Sequence, residues 1–287
     1  MPTIEEIAAY RPRNIDETLE AMRSALDFFH THNDHRAIFL RMYYLITLEA
    51  HDALQGRGRY THRLFFDPEW INHDAGNFSS LYFMSLSTEQ RKGERAWKTA
   101  HRLAAGKDTS VLQDMLLGLN AHINYDLAYS IYVTMKQHDD GRDHLLMHRR
   151  KFDHDQVNNL LINCIPRIEE VITRDYGGEV LALGTLVGNL EHVLAGAGLK
   201  YYRDRIWWSA LSFLATKTEA EVQLVRDRLD WESAQLAESL SCEGAPLQSA
   251  LSEVFQLFRK KKVGRITLER EANEGTRRKP TQAVSPF

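Results

Sequence analysis

The stretch from Val111 to Met135, VLQDMLLGLNAHINYDLAYSIYVTM, constrains this chain more than any other. It contains no proline, and Gly118 is its only glycine. Apolar residues fall on every side of a helical wheel instead of along one stripe, which is the pattern of a helix buried all round. Its middle nevertheless carries Asn120, His122, Asn124 and Asp126. At helical spacing Asn120 and Asn124 share one face, and His122 and Asp126 share another. Met115, Leu119 and Val133 flank the second face, so its polar groups point into protein. A buried polar group left unpaired costs roughly 1–3 kcal/mol. Partners must therefore come from other elements, and this helix is the first place to look for chemistry.

Length and charge narrow the classes. A chain of 287 residues can bury a large core in one domain, or at most two. The formal net charge of -3 gives no general attraction to nucleic acid or to an anionic membrane. Cys164 and Cys242 are the only cysteines, too few for a disulfide framework or a cysteine zinc site. The start, MPTIEEIAAYRPRN, has acidic residues and no apolar core, unlike a signal peptide. The 111–135 run is long enough to span a bilayer, but a mid-membrane Asp alone costs about 2.5–3.5 kcal/mol. The expectation is a cytoplasmic protein with no membrane span and no nucleic-acid partner.

Taken in order, residues 1–14 read as a loosely held arm. A helix is expected over about 16–32, capped by Asn14 or Asp16, with Leu19, Met22, Leu26 and Phe29 inward. A second covers about 35–55, with Phe39, Tyr43, Ile46 and Thr47 on its inner face. Residues 57–76 read as an irregular loop, broken at Asp67-Pro68 and Gly76. Helices follow over about 77–87 and 88–105, the latter from a Ser87-x-x-Gln90 capping box. After the central helix, one is expected over 143–175, kinked or restarted at Pro166. Others cover 179–197, 199–215, 218–240 and 247–260. From Lys261 to Phe287 charge rises and apolar residues thin out, which predicts a flexible tail. No strand alternation and no repeat is found. The fold class is all-α: a single-domain multi-helix bundle over 15–260 around the buried helix.

His122 and Asp126, spaced i, i+4, are the sharpest pair. The spacing lets a helix present two metal ligands, or lets a carboxylate orient an imidazole for acid/base work. A hydrogen bond that merely fixes the core gives the same pattern. Asn120 and Asn124 either cross-link helices or touch a ligand. In FDHDQVNNLL (152–161), Asp153 reads as a second acid or as a helix cap, and Asn158 follows His154 by four. In KYYRDRIWWSALSF (200–213), Arg203 lies four residues before Trp207 and is a natural donor to a carboxylate or phosphate. The tract His138, Asp139, Asp140, Asp143, His144, His148 resembles a metal tract in composition and reads as a solvated turn. Glycine-rich phosphate loops and the GxSxG and HExxH motifs are lacking.

The segment LLGLNAHINYDL (116–127) resembles a bacterial family of helical proteins known only as a domain of unknown function. RAWKTAHRL (95–103), DHDQVNNLL (153–161), RDRIWW (203–208), and Phe39, Tyr43, Thr47 and Leu81-Tyr82 extend the resemblance over about 35–215. It implies one helical domain and carries no activity; His154 departs from the family's aromatic. The Leu-Gly-x-x-x-His-x-x-x-Asp pattern is also similar to the zinc-dependent phospholipase C and P1 nuclease group. That likeness implies His122 and Asp126 as ligands of a single divalent metal such as zinc. The rest of that group's ligand set is missing here.

These readings converge on an enzyme acting on a small-molecule or lipid-like, amphiphilic ligand. His122 is expected as base or ligand, Asp126 as its orienting partner, Asp153 as a second acid and Arg203 as an anion anchor. Asn120, Asn124, Asn158 and Trp207 are expected to touch substrate. Metal-assisted hydrolysis competes with metal-free acid/base chemistry, such as a cyclisation or elimination in a biosynthetic pathway. The third reading is a non-enzymatic binding or scaffold protein, and self-association into a homo-oligomer stays open.

Overall fold

Polar caps set where most of the helices begin. In the computed structural model, which describes residues 2–87, 94–138, 143–176 and 197–241, every regular element is helical. The order is α1 (Ile4–Ala8), α2 (Ile15–Thr31), α3 (Arg36–Leu54), α4 (Pro68–Ser85), α5 (Arg95–Gly106), α6 (Val111–Ala121), a π turn (His122–Asp126), α7 (Leu127–Gln137), α8 (His144–Tyr176), α9 (Ala197–Leu214) and α10 (Glu219–Ser241). Asn14 caps α2 by accepting from the Glu17 amide at 2.9 Å. Ser110 and Gln113 form a reciprocal capping box at the start of α6.

Some expectations change, beginning with residues 1–14, expected as a loose arm, which include the capped helix α1 with Ile7 and Ala8 fully buried. The loop after α3 ends at Asp67, because Asp67 accepts from the amides of Glu69 and Trp70 and Pro68 takes the first helical position, where no amide donor is needed. So α4 starts nine residues before the predicted 77, and Asn72 to Gly76 are helical. The helix predicted from 88 is described only from Arg95, with 88–93 outside the described residues. α8 runs through Pro166 as one element, so no new helix begins there. The helices expected over 179–197 and 247–260 and the tail from 261 also lie outside the described residues. The chain divides into two units, Met1–Glu243 and Gly244–Phe287, and the described residues belong to the first.

Within that unit α6, the π turn and α7 form a continuous central rod. α3, α5 and α10 pack on α6, while α4 and α9 pack on α7. α2 and α8 close over α3. Trp70, Trp97, Tyr82, Phe29, Phe83 and Phe213 are fully buried, each worth about 1.5–3 kcal/mol in transfer terms. Arg226 on α10 donates to Glu94 at 3.1 Å and to the Tyr125 hydroxyl at 3.0 Å, joining α10 to the π turn and the start of α5. None of the described helices is long and apolar enough to cross a membrane.

Two glycines permit close approaches. A Cβ on Gly118 would collide with the Phe39 ring, and one on Gly76 would lie 2.7 Å from Arg13 O and Asn14 N. Overpacking of this kind costs about 1–3 kcal/mol. Gly76→Ala is expected to be the more damaging, because it meets backbone that cannot rotate away. Urea unfolding should place its loss at or above about 3 kcal/mol and that of Gly118→Ala within the range. Equal stability of Gly76→Ala and wild type would contradict this packing.

Candidate active site

The central helix is not α-helical where its polar residues lie. From His122 to Asp126 it widens into a π turn, closed by the Leu127 amide donating to the His122 carbonyl. Such turns are rare and recur at functional sites. The turn keeps His122 and Asp126 together: His122 Nδ1 lies 3.0 Å from Asp126 Oδ2, and both residues are buried. The same oxygen accepts the Trp97 indole N–H at 2.8 Å. A carboxylate oxygen between two nitrogens must accept from both, which places the imidazole proton on Nδ1 and leaves Nε2 the basic atom of the neutral ring.

Aromatic rings surround that imidazole. Phe78 stacks on it, with centroids 3.5 Å apart and planes at 8°. Tyr43 presents an edge at 4.5 Å, with Phe39 at 5.8 Å, Trp97 at 5.9 Å and Tyr82 at 6.2 Å. Gly118, one turn before His122, is what lets Phe39 in. Phe78 is only half-buried, so it forms the outer wall of this cage.

Beyond Tyr43 lies a second carboxylate. Asp74 accepts from Ser130 Oγ at 2.7 Å and Thr134 Oγ1 at 3.0 Å. Burial pushes its pKa up to about 6, against the opposing pull of those hydroxyls and of the Arg203 charge. Burial also holds the Tyr43 phenol well above its ordinary value, and the Asp74 and Asp126 charges add to the effect.

The other predicted site residues are placed elsewhere. Asp153 accepts from the amides of Phe66 at 2.6 Å and Asp67 at 2.9 Å, so its carboxylate fixes the turn into α4 and is not brought to His122. Arg203 is buried; Nη2 donates to the His154 carbonyl at 2.8 Å and lies 3.2 Å from His154 Nδ1. His154 Nε2 in turn meets the Arg203 carbonyl at 3.1 Å, and Trp207 lies against the His154 ring at 5.5 Å. Burial lowers the Arg203 pKa to about 10, and burial with the Arg203 charge drives His154 well below its ordinary value. Asn158 is buried on the same helix as His154, with no hydrogen-bond partner for Oδ1 among the described residues. Asn120 donates to the Ser233 carbonyl at 2.8 Å and Asn124 to Asn120 at 2.9 Å, an α6–α10 cross-link.

For the metal expectation at His122 and Asp126, the facing atoms are bonded to each other, and the same carboxylate oxygen also accepts from Trp97. Among the described residues no three His, Cys, Asp or Glu side chains gather to hold an ion.

Trp97, Phe78 and Asp74 were absent from the sequence-based site. The signal for the last two was Asp67-Pro68, a cap followed by a first-turn proline. Read so, it extends α4 backward and puts Asp74 and Phe78 on one helical face.

What the fold and site define together is an all-helical protein built around a π-turned helix, with an aspartate-oriented histidine in an aromatic cage. The chain belongs to a family of unknown function, DUF5995, whose model matches residues 15–242. No curated protein and no solved structure matches it, and the likeness to zinc-dependent phospholipase C and P1 nuclease finds no support.

Electrostatics of the α8–α9 contact give a pH test. His154 stays neutral in the fold, while in the unfolded chain it takes up a proton below about pH 6.5. The unfolded state then binds more protons, so His154 makes stability fall as pH drops below about 6.5. In His154→Phe this component is gone. Urea unfolding from pH 7.5 to 5 should show the wild type losing more stability than the variant, whatever their offset at pH 7.5. Parallel pH profiles would contradict the neutral buried imidazole.

Proposed function

We propose that this chain is a metal-free acid/base enzyme for a small amphiphilic molecule, with His122 as the proton-transferring group. One observation supports this reading above the others: a single Asp126 oxygen receives both His122 and Trp97. That arrangement fixes the imidazole tautomer and stabilises the imidazolium formed when Nε2 takes a proton. The rings of Phe39, Tyr43, Phe78, Tyr82 and Trp97 supply apolar contact, and Phe78 is the wall to move when substrate enters. The proposed anion anchor is Arg203, which lies outside the aromatic cage but whose charge reaches Asp74; among the described residues no carboxylate is bonded to it, and Nε has no acceptor. His122 would remove a proton from the substrate, and the electron pair left behind would form a double bond as a leaving group departs, or add to an electrophilic carbon of the same molecule to close a ring, the imidazolium then returning its proton to the atom that receives the displaced pair. Metal-assisted hydrolysis is the weaker enzyme version, because the Asp126 oxygen that faces His122 already accepts from it and from Trp97 and so is not offered as a ligand beside it.

The structural alternative has its own support, since Asn120–Ser233 and Arg203–His154 brace helices with no ligand. The two readings diverge in His122→Asn and Asp126→Asn. Incubated with a small-molecule extract and followed by mass spectrometry, wild type should deplete a defined species, also after dialysis against EDTA. Each variant should slow that depletion by at least about a hundredfold, at the lower end of general acid/base contributions, with the melting temperature of His122→Asn within a few degrees of wild type. Early melting of both variants with no wild-type turnover would favour the structural role. Loss of turnover on EDTA treatment would favour the metal version.

A further inference from the structure

We propose that His73 and His138 form a binding site for a borderline divalent cation such as Zn²⁺ or Cu²⁺, separate from His122. His73 lies in the second turn of α4, and His138 caps the C-terminus of α7. The two helices pack side by side and bring His73 Nδ1 to within 2.9 Å of His138 Nε2, with ring centroids 5.1 Å apart. Both side chains are half-buried, held by the fold yet reachable from solvent. Neighbouring contacts fix the helix pair: Asn77 donates to Thr134 Oγ1 at 2.8 Å and to Gln137 Oε1 at 2.9 Å.

Two imidazole nitrogens facing each other hold one proton between them. A cation of suitable size can take its place, accepting a lone pair from each ring. With metal–nitrogen bonds of about 2.0–2.1 Å in tetrahedral geometry, the two nitrogens stand about 3.3–3.4 Å apart. The observed 2.9 Å needs the rings to part by only about half an ångström. Imidazole selects zinc, copper and nickel over magnesium or calcium, which prefer oxygen. The pair supplies two ligands and water completes the shell. Such a site ties the end of α7 to α4, so the metal should stabilise the fold by mass action. It rests on the α4–α7 contact alone and is independent of the proposed acid/base role.

The test uses the full chain freed of metal and titrated with ZnCl2 by calorimetry at pH 7.5, beside His73→Ala, His138→Ala and His122→Asn. The expected result is one Zn²⁺ per chain, with affinity lowered at least about tenfold in each of the first two variants and unchanged in the third; second-shell losses alone reach that size. Zn²⁺ should also protect His73 and His138 from acylation by diethyl pyrocarbonate, read by peptide mass spectrometry. Because the sequence holds 13 histidines, this readout separates the proposed site from others. No binding by wild type, or binding that survives both His→Ala changes in folded variants, would overturn the proposal. So would protection confined to other histidines.

Discussion

The carboxylate of Asp126 is the interaction on which the rest of this core depends. A buried charge must be matched by donors, and here one oxygen takes two, from Trp97 and His122. That requirement fixes α5 against the π turn and orients the Trp97 indole, on which His101 then stacks with centroids 4.8 Å apart. It also sets the plane of the imidazole, and so the positions from which Phe78, Tyr43 and Phe39 can meet it. The glycine at 118 follows from the same arrangement, since Phe39 occupies the space a side chain there would need. Much of the aromatic character of the core is thus organised by one acid.

Much of the fold was legible because apolar periodicity and caps act over a few residues. Asn14, Ser110 and the all-round apolar run of 111–135 each decide their own neighbourhood. The beginning of α4 is hidden in the sequence because Gly76 reads as a breaker, whereas in the folded chain it is a contact point for the backbone of Arg13 and Asn14. A glycine selected for closeness and one selected for flexibility look alike in a sequence. The π turn was equally hidden, for its residues satisfy α-helical spacing well enough.

The site was half legible for a related reason. His122 and Asp126 are neighbours along one helix, so their pairing is a local fact. Trp97 and Phe78 reach the same histidine from two other helices, and nothing in the spacing along the chain records that. Asp153 misled in the opposite direction. A carboxylate among apolar residues promised chemistry, but it was serving two backbone amides of a distant turn. Buried polar residues that brace helices and those that could move protons share composition; what separates them is whether their partners are backbone or titratable side chains.

That clasp sets an order of assembly. The amides of Phe66 and Asp67 are separated from Asp153 by 87 and 86 positions, and Arg150 reaches Asp67 across 83. At about 5–20 residues per second, a growing chain waits about 4–17 seconds between making the turn and making its carboxylate. During that interval the entrance to α4 has its own cap from Asp67 but no anchor from α8. Until the second half of the chain is synthesised the α3–α4 connection is held only by nearer contacts, such as Tyr60 donating to Glu49 at 2.7 Å, and the anchoring of its far end comes after them.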